Sequence, residues 1–191
     1  MSISKSILKI FGWKVENNLG DNLPKKAVIV VAPHTSLFDF PLGFIAYKAM
    51  GIDAHFLIKK EAFFFPLNLV LKKWGGIAVD RHNKNTIVED VIVEFEKNDN
   101  FILTITPEAT RSKVDKWKDG YYRIAIGANV PIIIGFMDYK SKTIGVKQEY
   151  KLLPRAIGGD SEFDTLQIQK FYIGMEGKHP EKFYLSPEVY K

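Results

Sequence analysis

Apolar residues follow two patterns along the chain, continuous short runs and helical periodicity. The clearest run, A-V-I-V-V-A at residues 27–32, lies between Lys26 and Pro33 and is typical of a strand buried on both faces of a parallel sheet. Further strands are predicted at residues 54–58, 77–79, 101–106 and 132–137. Residues 86–97 place an apolar stripe on one helical face and begin with a capping-box pattern. Strands that alternate with helices predict an α/β fold with a mainly parallel sheet flanked by helices.

The two ends of the chain carry weaker patterns. Residues 3–13 predict a short amphipathic helix in which Lys5 and Lys9 stand among apolar residues, and its apolar side could pack on the domain or contact a membrane. Residues 138–146 predict an antiparallel hairpin, and residues 161–175 predict a further helix. Because the sequence has no repeat and no dividing linker, we expect a single domain over residues 1–191, with residues 1–13 as a candidate membrane-contacting helix.

Charge and composition narrow the range of functions. The formal net charge is +5 and there are 0 Cys, which favours an anionic partner and excludes thiolate nucleophiles and cysteine metal sites. The 4 His are scattered and no H-E-x-x-H pattern occurs, so we expect no metal. No apolar run approaches the roughly 18 residues needed to span a bilayer, and the first residues lack a signal-peptide pattern. We therefore expect that the protein is not integral to a membrane.

The loop after the first buried run carries the first candidate chemistry. It reads P-H-T-S-L-F-D from Pro33 to Asp39 and leaves the carboxyl end of a strand, where ligands of open α/β sheets bind. If a helix begins near Ser36, Asp39 lies about one turn in, and its carboxylate can hydrogen-bond one ring nitrogen of His34. The other ring nitrogen is then available as a base. By itself this pair is a weak signal, because a histidine near an acid is common.

Three further segments lie at predicted strand ends. Arg81 closes the segment G-G-I-A-V-D-R, and Glu108 and Arg111 lie in T-P-E-A-T-R-S. The third segment, V-P-I at residues 130–132, enters a strand instead of leaving one. We expect all of them to meet the His34 loop at one edge of the sheet. Arginine suits phosphate through bidentate hydrogen bonds, and the alternative is ion pairing at the sheet edge, such as Glu108 with Arg111.

In this order and spacing, the four segments resemble the motifs of the glycerolipid acyltransferase family that includes bacterial lysophosphatidate acyltransferases. The segment P-H-T-S-L-F-D matches the family's His-X4-Asp motif, G-G-I-A-V-D-R its second motif, T-P-E-A-T-R-S its P-E-G-T-R-S motif and V-P-I-I-I its Pro-centred fourth motif. The resemblance implies a glycerol-3-phosphate acyltransferase-like fold, with His34 as the general base and Asp39 as its support. It also implies an acceptor site formed by Arg81, Glu108 and Arg111.

The same resemblance implies a reaction and its partners. A fatty acyl chain would move from acyl-CoA or acyl-carrier protein to a hydroxyl of a lysophosphatidate-like phospholipid, in phospholipid biosynthesis and without a cofactor. With the basic charge, it predicts a cytoplasmic protein bound peripherally to the anionic inner face of the membrane. Two positions depart from the family pattern, because Ala109 replaces a glycine and Thr106 an aromatic residue. Since alanine disfavours positive φ, the loop at Ala109 is expected to keep an ordinary backbone or to shift slightly.

Other function classes stay open on the sequence. A non-catalytic lipid- or anion-binding protein could keep this fold, and a thioester or ester hydrolase is a further candidate, although G-x-S-x-G is absent. The His34 and Asp39 pair favours catalysis over binding alone. Nucleic-acid binding is disfavoured because the basic residues are dispersed. The cluster F-F-F-P-L at residues 63–67 and the lysines at 113, 116 and 118 could contact lipid, or be core and solvated surface respectively.

Overall fold

The computed structural model describes residues 2–80, 84–152 and 160–191. Within these ranges the strands form one seven-stranded sheet, in the order β1-β7-β6-β2-β5-β3-β4. The strands are β1 (Lys14–Asn17), β2 (Lys26–Ala32), β3 (Ala54–Lys59), β4 (Gly76–Val79), β5 (Phe101–Ile105), β6 (Ile132–Asp138) and β7 (Thr143–Tyr150). All neighbouring strands run parallel except β6 and β7, which are antiparallel. The fold is therefore a single α/β domain with a mainly parallel sheet, as the sequence predicts.

Helices cover both faces of the sheet, as parallel strands require. The described helices are α1 (Ile3–Ile10), α2 (Asp39–Met50), α3 (Leu67–Lys73), α4 (Lys84–Lys97), α5 (Gly120–Gly127) and α6 (Ser161–Lys170). Along β2, Val28 and Val30 pack into a core with α4, α5 and α6, while Ala27 and Ile29 pack into a second core with α2. The alternation explains why the sequence of β2 reads as an unbroken apolar run.

The predicted elements agree well with the structure. Each of the five predicted strands lies within one residue of an observed strand at both ends, and β6 and β7 form the predicted antiparallel hairpin. The helices predicted at residues 3–13 and 161–175 are shorter than expected and end at Ile10 and Lys170. The prediction omitted β1, whose four residues K-V-E-N include two charges and lie at the edge of the sheet, so no apolar run marks it.

Strand order decides which loops meet. Val30 of β2 is paired with Ile105 of β5, and Ala32 of β2 with Phe136 of β6. Because β2, β5 and β6 are parallel neighbours, the segments that follow them leave the sheet at the same edge, the one formed by the carboxyl ends of these strands. The strand β2 is also the switch point, since the chain continues to one side of it through β3 to β5 and then crosses to β6 on the other side.

The expectation that all four motif segments share this edge was wrong for residues 130–132. Val28 at the start of β2 donates its N–H to the carbonyl of Pro131 at 3.0 Å, which places Pro131 beside the beginning of β2. The segment therefore lies at the opposite edge of the sheet from His34. The physical reason is that a segment entering a parallel strand meets the sheet at the edge where its neighbours also begin.

Candidate active site

The His34 and Asp39 pair forms in the loop between β2 and α2. His34 Nδ1 lies 3.1 Å from Asp39 Oδ2. The helix α2 begins at Asp39 itself, three residues after Ser36, where the sequence predicts its start. The carboxylate at the first helical position reaches back over the loop that precedes it. The predicted contact is thus present. The residues between His34 and Asp39 form a loop, however, and not the first turn of the helix.

Asp39 is fixed by further hydrogen bonds. Its Oδ2 accepts the backbone N–H groups of Thr35 at 2.8 Å and Ser36 at 2.9 Å, and its Oδ1 accepts the hydroxyl of Tyr139 at 2.7 Å. Burial by itself would raise the pKa of this carboxyl, but hydrogen bonds from His34, Tyr139 and Ser36 outweigh burial and hold the pKa below its ordinary value. Asp39 is therefore an ionised carboxylate at neutral pH.

An ionised Asp39 determines which imidazole nitrogen is free. A carboxylate accepts hydrogen bonds only, so Nδ1 of His34 carries the proton that faces it. The lone pair of the neutral ring is then on Nε2. The His34 side chain keeps 22% of its surface exposed, whereas that of Asp39 keeps 4%. The pair thus combines a buried anion with an imidazole that reaches solvent, which is the arrangement of a supported general base.

Glu108 lies directly beneath the His34 loop. Its Oε1 accepts the backbone N–H of His34 at 3.0 Å, and the residue is only 2% exposed. Burial raises the pKa of Glu108 to about 8, against hydrogen bonds from the backbone of His34 and Glu108 that lower it, and the charge of Asp39 adds to the rise. Glu108 is therefore mostly a neutral acid at pH 7. Its Oε2 is buried and has no hydrogen-bond partner among the described residues.

Arg111 and Glu108 do not form the ion pair that the sequence left open. Arg111 is exposed, and in the described parts of the chain it makes no hydrogen bond or ion pair. Its guanidinium is available to an anionic ligand. Arg81, the other predicted phosphate ligand, lies outside the described residues. Its role stays a prediction from the sequence, as do the roles in acceptor binding given to Glu108 and Arg111.

The Ala109 backbone shows how the motif loop tolerates its unusual residue. Ala109 has φ of 56°, in the left-handed region where glycine is favoured. Its N–H donates to the carbonyl of Thr106 at 3.0 Å, and Lys118 donates its N–H to the carbonyl of Pro107 at 2.8 Å. The loop therefore keeps a conformation suited to glycine and does not adopt an ordinary backbone. An alanine there costs about 1 kcal/mol of backbone strain.

The profile of the Acyltransferase family matches residues 14–134, which is more than half of the chain and includes His34, Asp39 and Glu108. The chain belongs to the Acyltransferase family. This confirms the resemblance found in the sequence motifs and makes acyl transfer the reaction class. Among curated proteins, the comparison finds no match.

One solved structure supports the fold of this acyltransferase. The 1-acyl-sn-glycerophosphate (LPA) acyltransferase PlsC from Thermotoga maritima is similar over 88% of this chain and 73% of its own, with a TM-score of 0.60 and 20% sequence identity. At that identity the likeness concerns the arrangement of helices and strands. It agrees with the seven-stranded sheet described above.

Sequence reasoning missed residues outside the motifs that contact the candidate site of this acyltransferase. Tyr139 directly follows β6 and donates to Asp39, and its position just after a predicted strand was the signal available. Thr35 is held by the C-terminal segment, because its Oγ1 accepts the N–H of His179 at 3.1 Å. A Cβ added at Gly177 would lie 2.5 Å from Thr35 Oγ1, so only glycine allows this close approach. Nothing local in the sequence links these positions.

An exposed apolar rim lies at the same edge of the sheet as His34. We define the apolar rim as five residues at the His34 edge, with exposed fractions from 61% to 79%: Phe11, Leu37, Phe38, Phe64 and Phe65. Two of them belong to the His34 loop, and two follow β3. Phe11 reaches the same edge at the end of α1, where its carbonyl accepts Lys142 Nζ at 3.5 Å. Lys178 Nζ lies 3.6 Å from the centre of the Phe38 ring, which adds a cation to the rim.

Over residues 2–80, 84–152 and 160–191, none of the helices combines the length and the apolar character needed to cross a bilayer. In the same ranges, no three His, Asp or Glu side chains are grouped so that they could hold a metal ion.

Proposed function

We propose that this acyltransferase moves a fatty acyl chain from the thioester of acyl-CoA or acyl-carrier protein to a hydroxyl of a lysophosphatidate-like phospholipid. The observation that carries the proposal is the contact of His34 Nδ1 with the ionised Asp39 at 3.1 Å, which leaves Nε2 of a partly exposed ring free. A hydroxyl is a weak nucleophile, so a base of this kind is what the transfer requires.

The steps follow from the positions of the proton and the acyl group. Nε2 of His34 removes the proton of the acceptor hydroxyl as its oxygen attacks the thioester carbonyl. The tetrahedral intermediate then expels the thiolate, which takes the proton from the imidazolium, so that an ester and a free thiol result. Asp39 stabilises the imidazolium between these steps, because its charge lies against Nδ1. No covalent acyl-enzyme is needed.

The acceptor's phosphate is assigned in this proposal to Arg111 and Arg81. Arg111 follows β5, the strand beside β2, and its guanidinium has no partner among the described residues. A planar guanidinium binds two phosphate oxygens at once. Glu108 forms the floor of the proposed acceptor site, since it holds the backbone of His34 and is a neutral acid. A neutral Glu108 does not repel the phosphate, so its carboxyl does not oppose the electrostatic attraction between the phosphate and the two arginines.

A membrane surface is the proposed location of the acceptor. The apolar rim lies at the same edge as His34, and basic residues follow β5 close by, including the exposed Lys113 and Lys116. Apolar side chains with neighbouring cations suit the interface of an anionic bilayer. In α1, Leu8 is 1% exposed, whereas Ile3 and Ile10 are 81% and 80% exposed. The helix therefore packs on the domain through Leu8 and can still offer two residues to lipid.

One experiment separates this proposal from its rivals. The purified protein is given a panel of acyl-CoA and acyl-carrier-protein donors, with and without lysophospholipid acceptors, while thiol release is followed and products are identified by mass spectrometry. We expect thiol release that requires the acceptor and matches the new ester in amount. Thiol release without acceptor would identify a thioester hydrolase instead. No product from any pair, together with saturable lipid binding, would identify a non-catalytic binding protein.

A further inference from the structure

Tyr139 bonds the buried carboxylate of the proposed catalytic pair, although it lies outside every family motif. Its hydroxyl donates to Asp39 Oδ1 at 2.7 Å. In the described residues, the other hydrogen bonds to Asp39 all end on Oδ2, from His34 Nδ1 and the N–H groups of Thr35 and Ser36. Tyr139 is therefore the partner of the second carboxylate oxygen, in a residue that is 5% exposed.

We propose that Tyr139 is a positioning residue of the base, whose hydroxyl fixes the rotation of the Asp39 carboxylate and thereby the orientation of the His34 ring. The inference rests on the proposed function only for its catalytic consequence. A carboxylate is planar, so a donor on Oδ1 determines where Oδ2 lies. If the carboxylate rotates, the imidazole that is hydrogen-bonded to Oδ2 turns with it, and the orientation of Nε2 toward an acceptor hydroxyl is lost.

The ring and the backbone of Tyr139 are held by two segments that are distant in sequence. The Trp13 ring packs against it edge-on, with ring centres 4.9 Å apart and planes at 88°. The N–H of Tyr139 donates to the carbonyl of Glu176 at 2.8 Å. Its position is thus set by the segment after α1, by β6 and by the segment after α6. The hydroxyl reaches Asp39 already oriented, so it need not be ordered during the reaction.

Electrostatics favour the hydroxyl as a permanent donor. Burial and the adjacent Asp39 carboxylate raise the pKa of Tyr139 above its ordinary value, so the hydroxyl keeps its proton throughout the pH range of an assay. The His34 imidazole acts on Asp39 through its charge and its hydrogen bond, and the charge of Asp39 raises the pKa of the Glu108 carboxyl. The Tyr139 hydroxyl stabilises the negative charge of Asp39, so a protonated imidazole gains less stabilisation from that charge. Without the hydroxyl, Asp39 favours a protonated imidazole more strongly.

The chain offers a matched control in Tyr150. The Tyr150 hydroxyl donates to Asp164 Oδ1 at 2.6 Å, and Tyr150 is paired with Ile132 at the opposite edge of the sheet. Tyr139→Phe and Tyr150→Phe each remove one hydroxyl that bonds a buried aspartate and keep the ring. Any loss that comes merely from removing a tyrosine–aspartate bond appears in both variants. A loss that comes from orienting the base appears only in Tyr139→Phe.

Kinetics form the first arm of the test. We expect Tyr139→Phe to lower kcat about ten- to a hundredfold, the range that one hydrogen bond to a charged group supports. KM for donor and acceptor should change less than about twofold, because the hydroxyl touches neither substrate. The acid limb of the pH–rate profile should move to higher pH. Tyr150→Phe should keep the wild-type kcat and profile. Wild-type kcat and profile in Tyr139→Phe, or equal losses in both variants, would overturn the proposal.

NMR forms the second arm and does not depend on activity. Carbon-13-labelled histidine is titrated in the wild type and in both tyrosine variants, and His34→Ala assigns the His34 signal. We expect the midpoint of the His34 titration to rise in Tyr139→Phe and to stay unchanged in Tyr150→Phe. If the wild type shows no acyl transfer, the proposed function fails while this arm still decides the role of Tyr139. An unchanged His34 titration in Tyr139→Phe would show that the hydroxyl does not act on the pair.

Discussion

The loops after β2 and β5 are neighbours, and each contains a buried acid, but the two acids differ in charge. In the first, Asp39 accepts four hydrogen bonds and stays ionised. In the second, Glu108 accepts a hydrogen bond from the His34 backbone through one oxygen, leaves the other buried without a partner among the described residues, and is mostly neutral at pH 7. Burial raises the pKa of both carboxyls, but the hydrogen bonds to Asp39 outweigh it, whereas the fewer hydrogen bonds to Glu108 do not.

The difference also assigns separate tasks to the two loops. In the proposed mechanism, the first carries the negative charge that stabilises an imidazolium. The second combines the buried, neutral Glu108 with the exposed Arg111, which suits an anionic ligand. A charged Glu108 would repel both Asp39 and a bound phosphate. Variants in the two loops test this contrast.

The largest effect is expected in the first loop. His34→Ala should lower the rate of acyl transfer by about 10²–10⁴-fold, because it removes the base. Asp39→Asn should also be severely impaired, since an amide cannot stabilise the imidazolium by charge. Rates are measured by thiol release with a saturating acceptor, and circular dichroism confirms that each variant is folded. Near wild-type turnover in folded His34→Ala would contradict the mechanism.

The second prediction concerns the charge of Glu108. Its folded-state pKa of about 8 exceeds its ordinary value of 4.5, so the folded protein binds more protons than the unfolded chain between these pH values. The stability that Glu108 contributes is complete below the lower value and is lost as the pH rises through the higher one. Relative to Glu108→Gln, the wild type should lose up to about 3 kcal/mol of unfolding free energy between about pH 5 and pH 8.

Urea denaturation at several pH values measures this difference. Glu162→Gln is the matched control, because Glu162 is exposed and its ion pair with Lys116 at 3.2 Å lies on the surface. It should follow the wild-type pH dependence. A parallel pH dependence for Glu108→Gln and the wild type would show that Glu108 is ionised when folded, and the contrast between the two loops would then disappear.

The third prediction tests Arg111 as a phosphate ligand. Arg111→Lys should raise the KM for a lysophosphatidate-like acceptor about tenfold, because an ammonium group cannot replace a bidentate guanidinium, while the donor KM changes little. Arg81→Lys should act in the same direction. Arg123→Ala is the control, since Arg123 is also exposed but lies on α5. Equal use of the phosphate-free monoacylglycerol by the wild type would show that these arginines do not bind a phosphate.

The smallest effects are expected in membrane binding, where the two loops should again differ. Leu37 in the first loop is apolar and 72% exposed, so Leu37→Ser should weaken binding to anionic vesicles several-fold at both low and high salt. Lys113→Gln in the second loop should weaken binding about fivefold at low salt only, because salt screens its attraction. Ile126→Ser on α5 is the exposed apolar control. Equal sedimentation with neutral and anionic vesicles would contradict the role of the basic residues.

Local sequence was enough for most of the fold. The apolar run at residues 27–32 and the shorter runs predicted five strands, because a strand buried on both faces must be apolar at successive positions. The edge strand β1 was not predicted, because its charged residues form no apolar run. The family motifs named His34 and Asp39, and their contact follows from a loop of only a few residues. A pair so close in sequence depends little on the rest of the chain.

Only the tertiary structure decided how the site is completed. The bond from the His34 backbone to Glu108 spans 74 residues, and the bond from Tyr139 to Asp39 spans 100. Both exist because β5 and β6 lie on either side of β2, an order that no local pattern specifies. The same order placed residues 130–132 at the far edge of the sheet. The sequence thus determined the elements and the reactive pair, whereas strand order set the charge of Glu108 and brought Tyr139 to Asp39, since both depend on which strands become neighbours.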